Sequence, residues 1–79
     1  MNLRVLYFAS MRDHAGVDAE RVTTVAKDAR GLFGELRARH GFVLDAARLR
    51  VAINGAFASW EQVLRDGDEV VFMPPVSGG

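Results

Sequence analysis

The sequence contains no cysteine, which excludes disulfide bonds, thiolate metal sites and cysteine nucleophiles. It also has no excess of charge of either sign, because ten lysines and arginines balance ten acidic residues. Phosphate binding depends on clustered positive charge, so we expect neither nucleic acid nor an anionic membrane as a partner. The two histidines, His14 and His40, are not part of a cluster of cysteine or carboxylate ligands in the sequence. We therefore predict no metal site and assign both histidines to the surface.

Long apolar runs are missing as well. No stretch approaches the roughly 20 apolar residues that cross a bilayer, and the opening MNLRVLYFAS lacks the basic leader and long apolar segment of a signal peptide. A chain of 79 residues is enough for one domain with a thin core and no deep cofactor cavity. We expect a soluble, cytoplasmic protein with no bound cofactor.

What the sequence does contain is a set of strand patterns around one helix. Leu3, Val5 and Tyr7 alternate with Arg4, Leu6 and Phe8, so they occupy opposite faces of a first strand. The segment 10–18 is polar and is predicted to be a loop, and residues 60–64 a single helical turn. Further strands are predicted at residues 20–25, 49–55 and 68–73, with a brief edge strand within 56–60.

The helix is predicted between two recognisable ends. Asp28 is a good N-cap, because its carboxylate can accept free N–H groups of the first turn, and Gly41 supplies a left-handed stop. The residues between them place one apolar face at helical spacing. This face consists of Ala29, Leu32, Phe33 and Leu36.

These elements predict an α+β fold, a ubiquitin-like β-grasp. A mixed sheet of four to five strands packs on one main helix, and the very apolar first and last strands are central neighbours. We assign residues 1–73 to this domain. Residues 74–79 form an extended tail, because Pro74 and Pro75 cannot donate ladder hydrogen bonds and favour a stiff polyproline conformation.

The tail ends in Gly78-Gly79, preceded by Val76 and Ser77. Glycines lack a Cβ, so this end is thin enough to thread a narrow tunnel. A frayed terminus is the plain alternative, and Gly-Gly alone is a weak signal. Placed after a proline spacer on a β-grasp domain, it predicts a carrier. Activation of the Gly79 carboxylate as an acyl-adenylate, followed by sulfur attack, would leave a thiocarboxylate, and the carrier would need no catalytic side chains of its own.

Over essentially its whole length the chain resembles the small subunit of molybdopterin synthase. The resemblance rests on VLYFASMR, the helix segment, VAING and above all LRDGDEVVFMPPVSGG. It implies that Gly79 is adenylated by a protein similar to ubiquitin-activating enzymes and loaded by a sulfur-donating enzyme. The tail then enters the large subunit, in a heterotetramer of two small and two large chains. There sulfur passes to cyclic pyranopterin monophosphate and forms the dithiolene of molybdopterin.

The resemblance also implies an apolar docking patch beside the tail, at Phe8, Phe57 and Met73. Relatives often have an aromatic residue where this chain has Met73, a soft and adaptable substitute. Ordinary packing of Phe57 against Trp60 is the alternative for that residue.

Three other functions stay open at this point. The chain could be a β-grasp sulfur carrier for thiamine or sulfur amino acids, a ubiquitin-like modifier joined to protein lysines through Gly79, or a plain interaction domain.

Overall fold

The computed structural model describes residues 1–74. The predictions made for residues 75–79 therefore lie outside the described part of the chain. In chain order the elements are β1 (Asn2–Tyr7), α1 (Ala9–Ala15), β2 (Ala19–Thr23), α2 (Ala29–His40), a 3₁₀ turn (Ala46–Arg48), β3 (Arg50–Ile53), β4 (Ala56–Ala58) and β5 (Glu69–Met73).

The five strands form one mixed sheet in the order β2-β1-β5-β3-β4. Strands β1 and β5 are parallel neighbours at its centre, with Tyr7 opposite Phe72, and the other pairs are antiparallel. The predicted central pairing of the first and last strands is confirmed. Strand β5 therefore has a neighbour on each side up to Phe72, and its last residue, Met73, is paired with Arg50 of β3.

The β3–β4 hairpin closes where the sequence predicts a turn. Asn54 and Gly55 both adopt positive φ, at 52° and 86°, the conformation that a tight two-residue hairpin requires. Strand β4 is an edge strand of three residues, also as predicted.

Helix α2 begins and ends at the predicted residues. The Asp28 side chain accepts a hydrogen bond from the Gly31 N–H at 2.8 Å, and Gly41 takes the left-handed conformation at φ 71°. The apolar face of α2 lies against one face of the sheet, which we call the inner face. The resulting core contains Leu3, Val5, Tyr7, Met11, Val22, Ala29, Leu32, Phe33, Leu36, Phe42, Leu49, Val51, Leu64, Val70 and Phe72.

Two secondary-structure predictions are wrong. Residues 10–18, predicted as a loop, contain all of α1 except its first residue, and α1 contributes the buried Met11 to the core. Residues 60–64, predicted as a helical turn, form a turn closed by the Gln62 N–H on the Ser59 carbonyl, followed by a bridge between Val63 and Asp28. Main-chain bonds to the start of α2 take the place of a helical turn there, with Arg30 N–H donating to the Trp60 carbonyl at 2.9 Å.

Candidate functional site

The tail leaves the domain at the end of a central strand. Met73 closes β5 opposite Arg50 of β3, and Pro74 follows it. Because proline has no N–H, it cannot extend the ladder, so the sheet stops here. Of the predicted tail, the structure describes only Pro74; Pro75, Val76, Ser77, Gly78 and Gly79 lie beyond the described residues.

An apolar band crosses the sheet face opposite the helix, which we call the outer face. Side chains alternate along a strand, and the register aligns those that point outward. Leu6 of β1 lies opposite Val71 of β5, which lies opposite Ala52 of β3, which lies opposite Phe57 of β4. Four neighbouring strands thus contribute one row of apolar side chains.

The three predicted patch residues all belong to this outer face. Met73 follows Val71 by two residues on β5. Phe8 follows Leu6 by two residues on an extended backbone, with φ −126° and ψ 154°. Phe57 is 69% exposed and Phe8 is 49% exposed, so both rings are open to solvent. An apolar surface of this extent is typical of an interaction site.

Phe57 does not pack on Trp60, which was the alternative for that residue. The Trp60 ring stacks on Phe72, with centroids 5.9 Å apart, and lies 5.6 Å from that of Phe33. Trp60 is therefore partly buried against the core. The Arg50 guanidinium lies over the Phe57 ring, with its carbon 5.8 Å from the ring centroid.

A polar cluster joins the helix end to the opposite edge of the sheet. The Tyr7 hydroxyl donates a hydrogen bond to the Glu20 carboxylate, and His40 Nε2 lies 2.7 Å from Glu20 Oε2. The His40 side chain is only 14% exposed, so its assignment to the surface is wrong. The reason is tertiary: the last turn of α2 brings His40 over β2, whereas His14 is exposed as predicted.

The protonation of this cluster follows from its contacts. Burial, together with the hydrogen bond to Glu20 and its negative charge, raises the pKa of Tyr7 above its ordinary range. Partial burial would raise the pKa of Glu20 too. Hydrogen bonds from Tyr7 and His40, and the charges of His40 and Arg39, outweigh that effect and hold the Glu20 pKa below its usual value.

The acidic residues before β5 act in a turn. Asp66 accepts the Asn2 N–H at 2.6 Å, and Asp68 accepts the Arg65 N–H and the Asn54 amide, both at 2.8 Å. Within residues 1–74 no group of three His, Asp or Glu side chains is arranged to hold a metal ion. No helix in that part of the chain is long and apolar enough to cross a membrane.

A family model described as the ThiS family matches residues 5–79. The chain belongs to the ThiS family. The molybdopterin synthase sulfur carrier subunit of Escherichia coli is 36% identical over 80 residues, which cover 98% of this chain and 99% of that protein. The subunit of the same name from Haemophilus influenzae is 35% identical over the same shares of the two chains. The predicted resemblance to the small synthase subunit is thereby confirmed.

The comparison with solved structures bears on the fold of this ThiS-family chain. SAMP1 from Haloferax volcanii superimposes with a TM-score of 0.82 at 25% identity, and all of both chains is covered. The predicted α+β, ubiquitin-like β-grasp fold is confirmed.

Sequence reasoning missed two features of the site. The Tyr7–Glu20–His40 cluster joins residues distant in the chain, and no local pattern signals it. The arginines beside the apolar band, Arg4 and Arg50, did have a signal in the sequence, since both alternate along their strands with buried residues.

Proposed function

We propose that this chain is the sulfur-carrier subunit of molybdopterin synthase, with sulfur carried as a thiocarboxylate on Gly79. The observation that supports it most is the full-length likeness to sulfur carrier subunits of that name. The family match extends through the Pro-Pro-Val-Ser-Gly-Gly end. The cytoplasmic location expected from the sequence stays a prediction.

The proposed chemistry begins with activation of the carboxylate. A free carboxylate is a poor acyl donor because its oxygen is a poor leaving group. An adenylating enzyme attaches AMP to the Gly79 carboxylate and releases pyrophosphate. Sulfur delivered at the sulfide level by a sulfur-donating enzyme then attacks the acyl carbon. A C–S bond forms, the C–O bond to AMP breaks, and AMP leaves. The product is a nucleophilic sulfur held on the protein.

The domain supplies position rather than reactive side chains. Because β5 is paired on both sides up to Phe72 and Met73 is still paired with Arg50 of β3, the point where the tail begins is fixed relative to the outer face. A partner that covers Phe8, Phe57 and Met73 therefore holds the base of the tail in a defined place. Such positioning lowers the entropy cost of bringing the sulfur to its acceptor.

The partner proposed to receive the tail is the large synthase subunit, in a heterotetramer of two small and two large chains. The residues proposed to enter its active site are Pro74, Pro75, Val76, Ser77 and Gly78, with Gly79 at the tip. Sulfur would pass there to cyclic pyranopterin monophosphate. The carrier alone is proposed to have no enzymatic activity and no bound cofactor.

Intact mass spectrometry tests the proposal. After co-expression with the adenylating and sulfur-donating enzymes, we expect an exchange of one oxygen for sulfur at the C-terminus. Deleting Gly79, or adding one residue after it, should abolish the exchange and the formation of molybdopterin, while the thermal unfolding curve stays that of the wild type. Sulfur loading of either variant would contradict the proposal.

A protein modifier is the second candidate. SAMP1 of Haloferax volcanii, which has the same fold at 25% identity, is named small archaeal modifier protein 1, and this likeness favours the candidate. This reading requires isopeptide conjugates through Gly79, visible as a ladder of heavier species in the native host. A sulfur carrier for thiamine or sulfur amino acids would load in the same way but deliver to a different acceptor. Reconstitution with purified acceptors separates it from the first proposal.

A further inference from the structure

We infer that the outer face is recognised by a partner surface that is apolar at its centre and carries carboxylates on two sides, opposite Arg4 and Arg21 on one side and Arg50 on the other. The inference rests on the proposed function in one respect, because we assign this surface to the large synthase subunit. It adds the charge pattern by which that subunit recognises the chain.

The arginines lie on either side of the apolar band. Arg4 precedes Leu6 by two residues on β1, and Arg21 of β2 is directly opposite Arg4. Arg50 precedes Ala52 by two residues on β3 and is opposite Met73, at the base of the tail. On the outer face, the pair of Arg4 and Arg21 therefore lies on one side of the apolar band, and Arg50 lies on the other side.

The pair of Arg4 and Arg21 is costly for the isolated domain. Like charges placed directly opposite each other on neighbouring strands repel. On the other side of β1, Glu69 of β5 is opposite Arg4. Even so, among residues 1–74 no carboxylate oxygen lies within 4.0 Å of either guanidinium, the distance that defines an ion pair. Both arginine side chains are exposed. Carboxylates supplied by a partner would remove this repulsion.

Arg50 is held in place without being neutralised. Its guanidinium lies over the Phe57 ring, a contact that orients the planar group while leaving its N–H donors free. Within residues 1–74 it makes no ion pair. A guanidinium oriented in this way suits bidentate binding of a carboxylate.

The surplus of positive charge is local to the outer face. The whole chain is electrically neutral, but on the outer face Arg4, Arg21 and Arg50 outnumber Glu69, which is opposite Arg4. Two other carboxylates, those of Glu20 and Asp68, are engaged elsewhere. Glu20 binds Tyr7 and His40, and Asp68 binds main-chain and amide groups of its turn. The apolar row between the arginines favours a protein partner over nucleic acid, whose backbone would leave that row uncovered. Continuity with the base of the tail favours the subunit that takes the tail.

Association kinetics with the purified large subunit test the inference. We would compare the wild type with the double variant Arg4→Gln/Arg21→Gln and with Arg50→Gln. Arg30→Gln is the control. Arg30 lies on α2, on the other side of the sheet from the outer face, and this substitution removes one positive charge, as Arg50→Gln does. The exposed pair of Arg30 with Glu61 contributes little to stability. Thermal unfolding verifies that each variant is folded.

We expect association to slow by roughly tenfold for the double variant and roughly threefold for Arg50→Gln at about 0.05 M salt. The differences should shrink at about 0.5 M salt, where charges are screened, and Arg30→Gln should bind like the wild type. Equal rates for all four proteins, or an equal loss for Arg30→Gln, would overturn the inference.

Two further results would also overturn it. If the arginine variants lost self-association, the partner on the outer face would be a second copy of this chain. If they lost binding to a DNA or RNA oligonucleotide, the partner would be a nucleic acid. The measurement uses the full-length chain purified without the adenylating enzyme, so Gly79 keeps its free carboxylate and sulfur loading does not enter. Failure of the proposed function therefore appears in the mass spectrum, and failure of this inference appears in the rates.

Discussion

The carboxylate of Glu20 connects three elements at the residue scale. Tyr7 from β1 and His40 from α2 both contact it, and Arg39 approaches to 3.9 Å. These contacts lower the Glu20 pKa, so the ionised form is favoured more in the folded chain than in the unfolded one. Glu20 therefore contributes stability above the pKa of the unfolded chain, and the contribution is lost as pH falls through the folded pKa.

Replacement of Glu20 by glutamine tests this contribution. Near neutral pH, Glu20→Gln should lower the free energy of unfolding by about 1–2 kcal/mol, because charged hydrogen bonds with Tyr7 and His40 become neutral ones. The gap between variant and wild type should narrow once pH falls below about 4, where the unfolded chain binds the proton. Urea unfolding at a series of pH values measures both effects.

Glu61→Gln is the matched control for Glu20→Gln. Among residues 1–74 Glu61 pairs only with Arg30, and both side chains are well exposed, so we expect a change within about 0.5 kcal/mol at every pH. An unchanged stability of Glu20→Gln near neutral pH would show that the cluster does not tie the helix to the sheet.

At the scale of elements, the sequence predicts the ends of a helix correctly where neighbouring residues alone determine them. Asp28 and Gly41 bound α2 as predicted because a cap and a left-handed stop depend on neighbouring residues alone. Helix α1 was missed because it has no such start. Its N-cap position holds Phe8, without a side-chain cap, and Ala9 adopts φ 51°. Only Met11 is buried from α1, too little to give a helical period.

The Asp28 cap yields a prediction for α2. Asp28→Ala should destabilise the domain by about 1 kcal/mol, because the Gly31 N–H loses its acceptor at 2.8 Å. Asp45→Ala serves as the control. Asp45 precedes the 3₁₀ turn without a side-chain cap, and it makes an exposed pair with Arg37. Thermal unfolding should rank the three proteins as wild type, Asp45→Ala and Asp28→Ala, with the last clearly lowest; equal loss in both variants would contradict the assigned role.

At the scale of the whole molecule, the central position of the first and last strands could be predicted from their apolar residues. Both central strands are rich in apolar residues because β1 and β5 have a neighbour on each side and a core on the inner face. The candidate site was predictable in part for the same reason, since alternation separates Phe8 and Met73 from the core. What alternation cannot supply is register. Only the observed pairings place Phe57 in one row with Ala52, Val71 and Leu6.

The division of the chain into a domain and a tail leads to a prediction about truncation. The last core residue is Phe72, and β5 ends at Met73. A chain that stops after Pro74 therefore keeps every described core contact, and its free energy of unfolding should stay within about 0.5 kcal/mol of the wild type. Urea unfolding measures this directly, and the same sample should show no sulfur loading by intact mass.

Phe72→Ala in the full-length chain gives the opposite pattern. The Phe72 ring packs between those of Phe33 and Trp60, so its removal should lower the free energy of unfolding by about 3–5 kcal/mol. The C-terminal residues of the chain are unchanged in this variant. Sulfur loading should persist in whatever fraction remains folded. A truncated chain that loses more than about 2 kcal/mol would mean that residues 75–79 contribute to folding, and the boundary after Met73 would be wrong. Stability and reactivity then would not reside in separate parts of the chain.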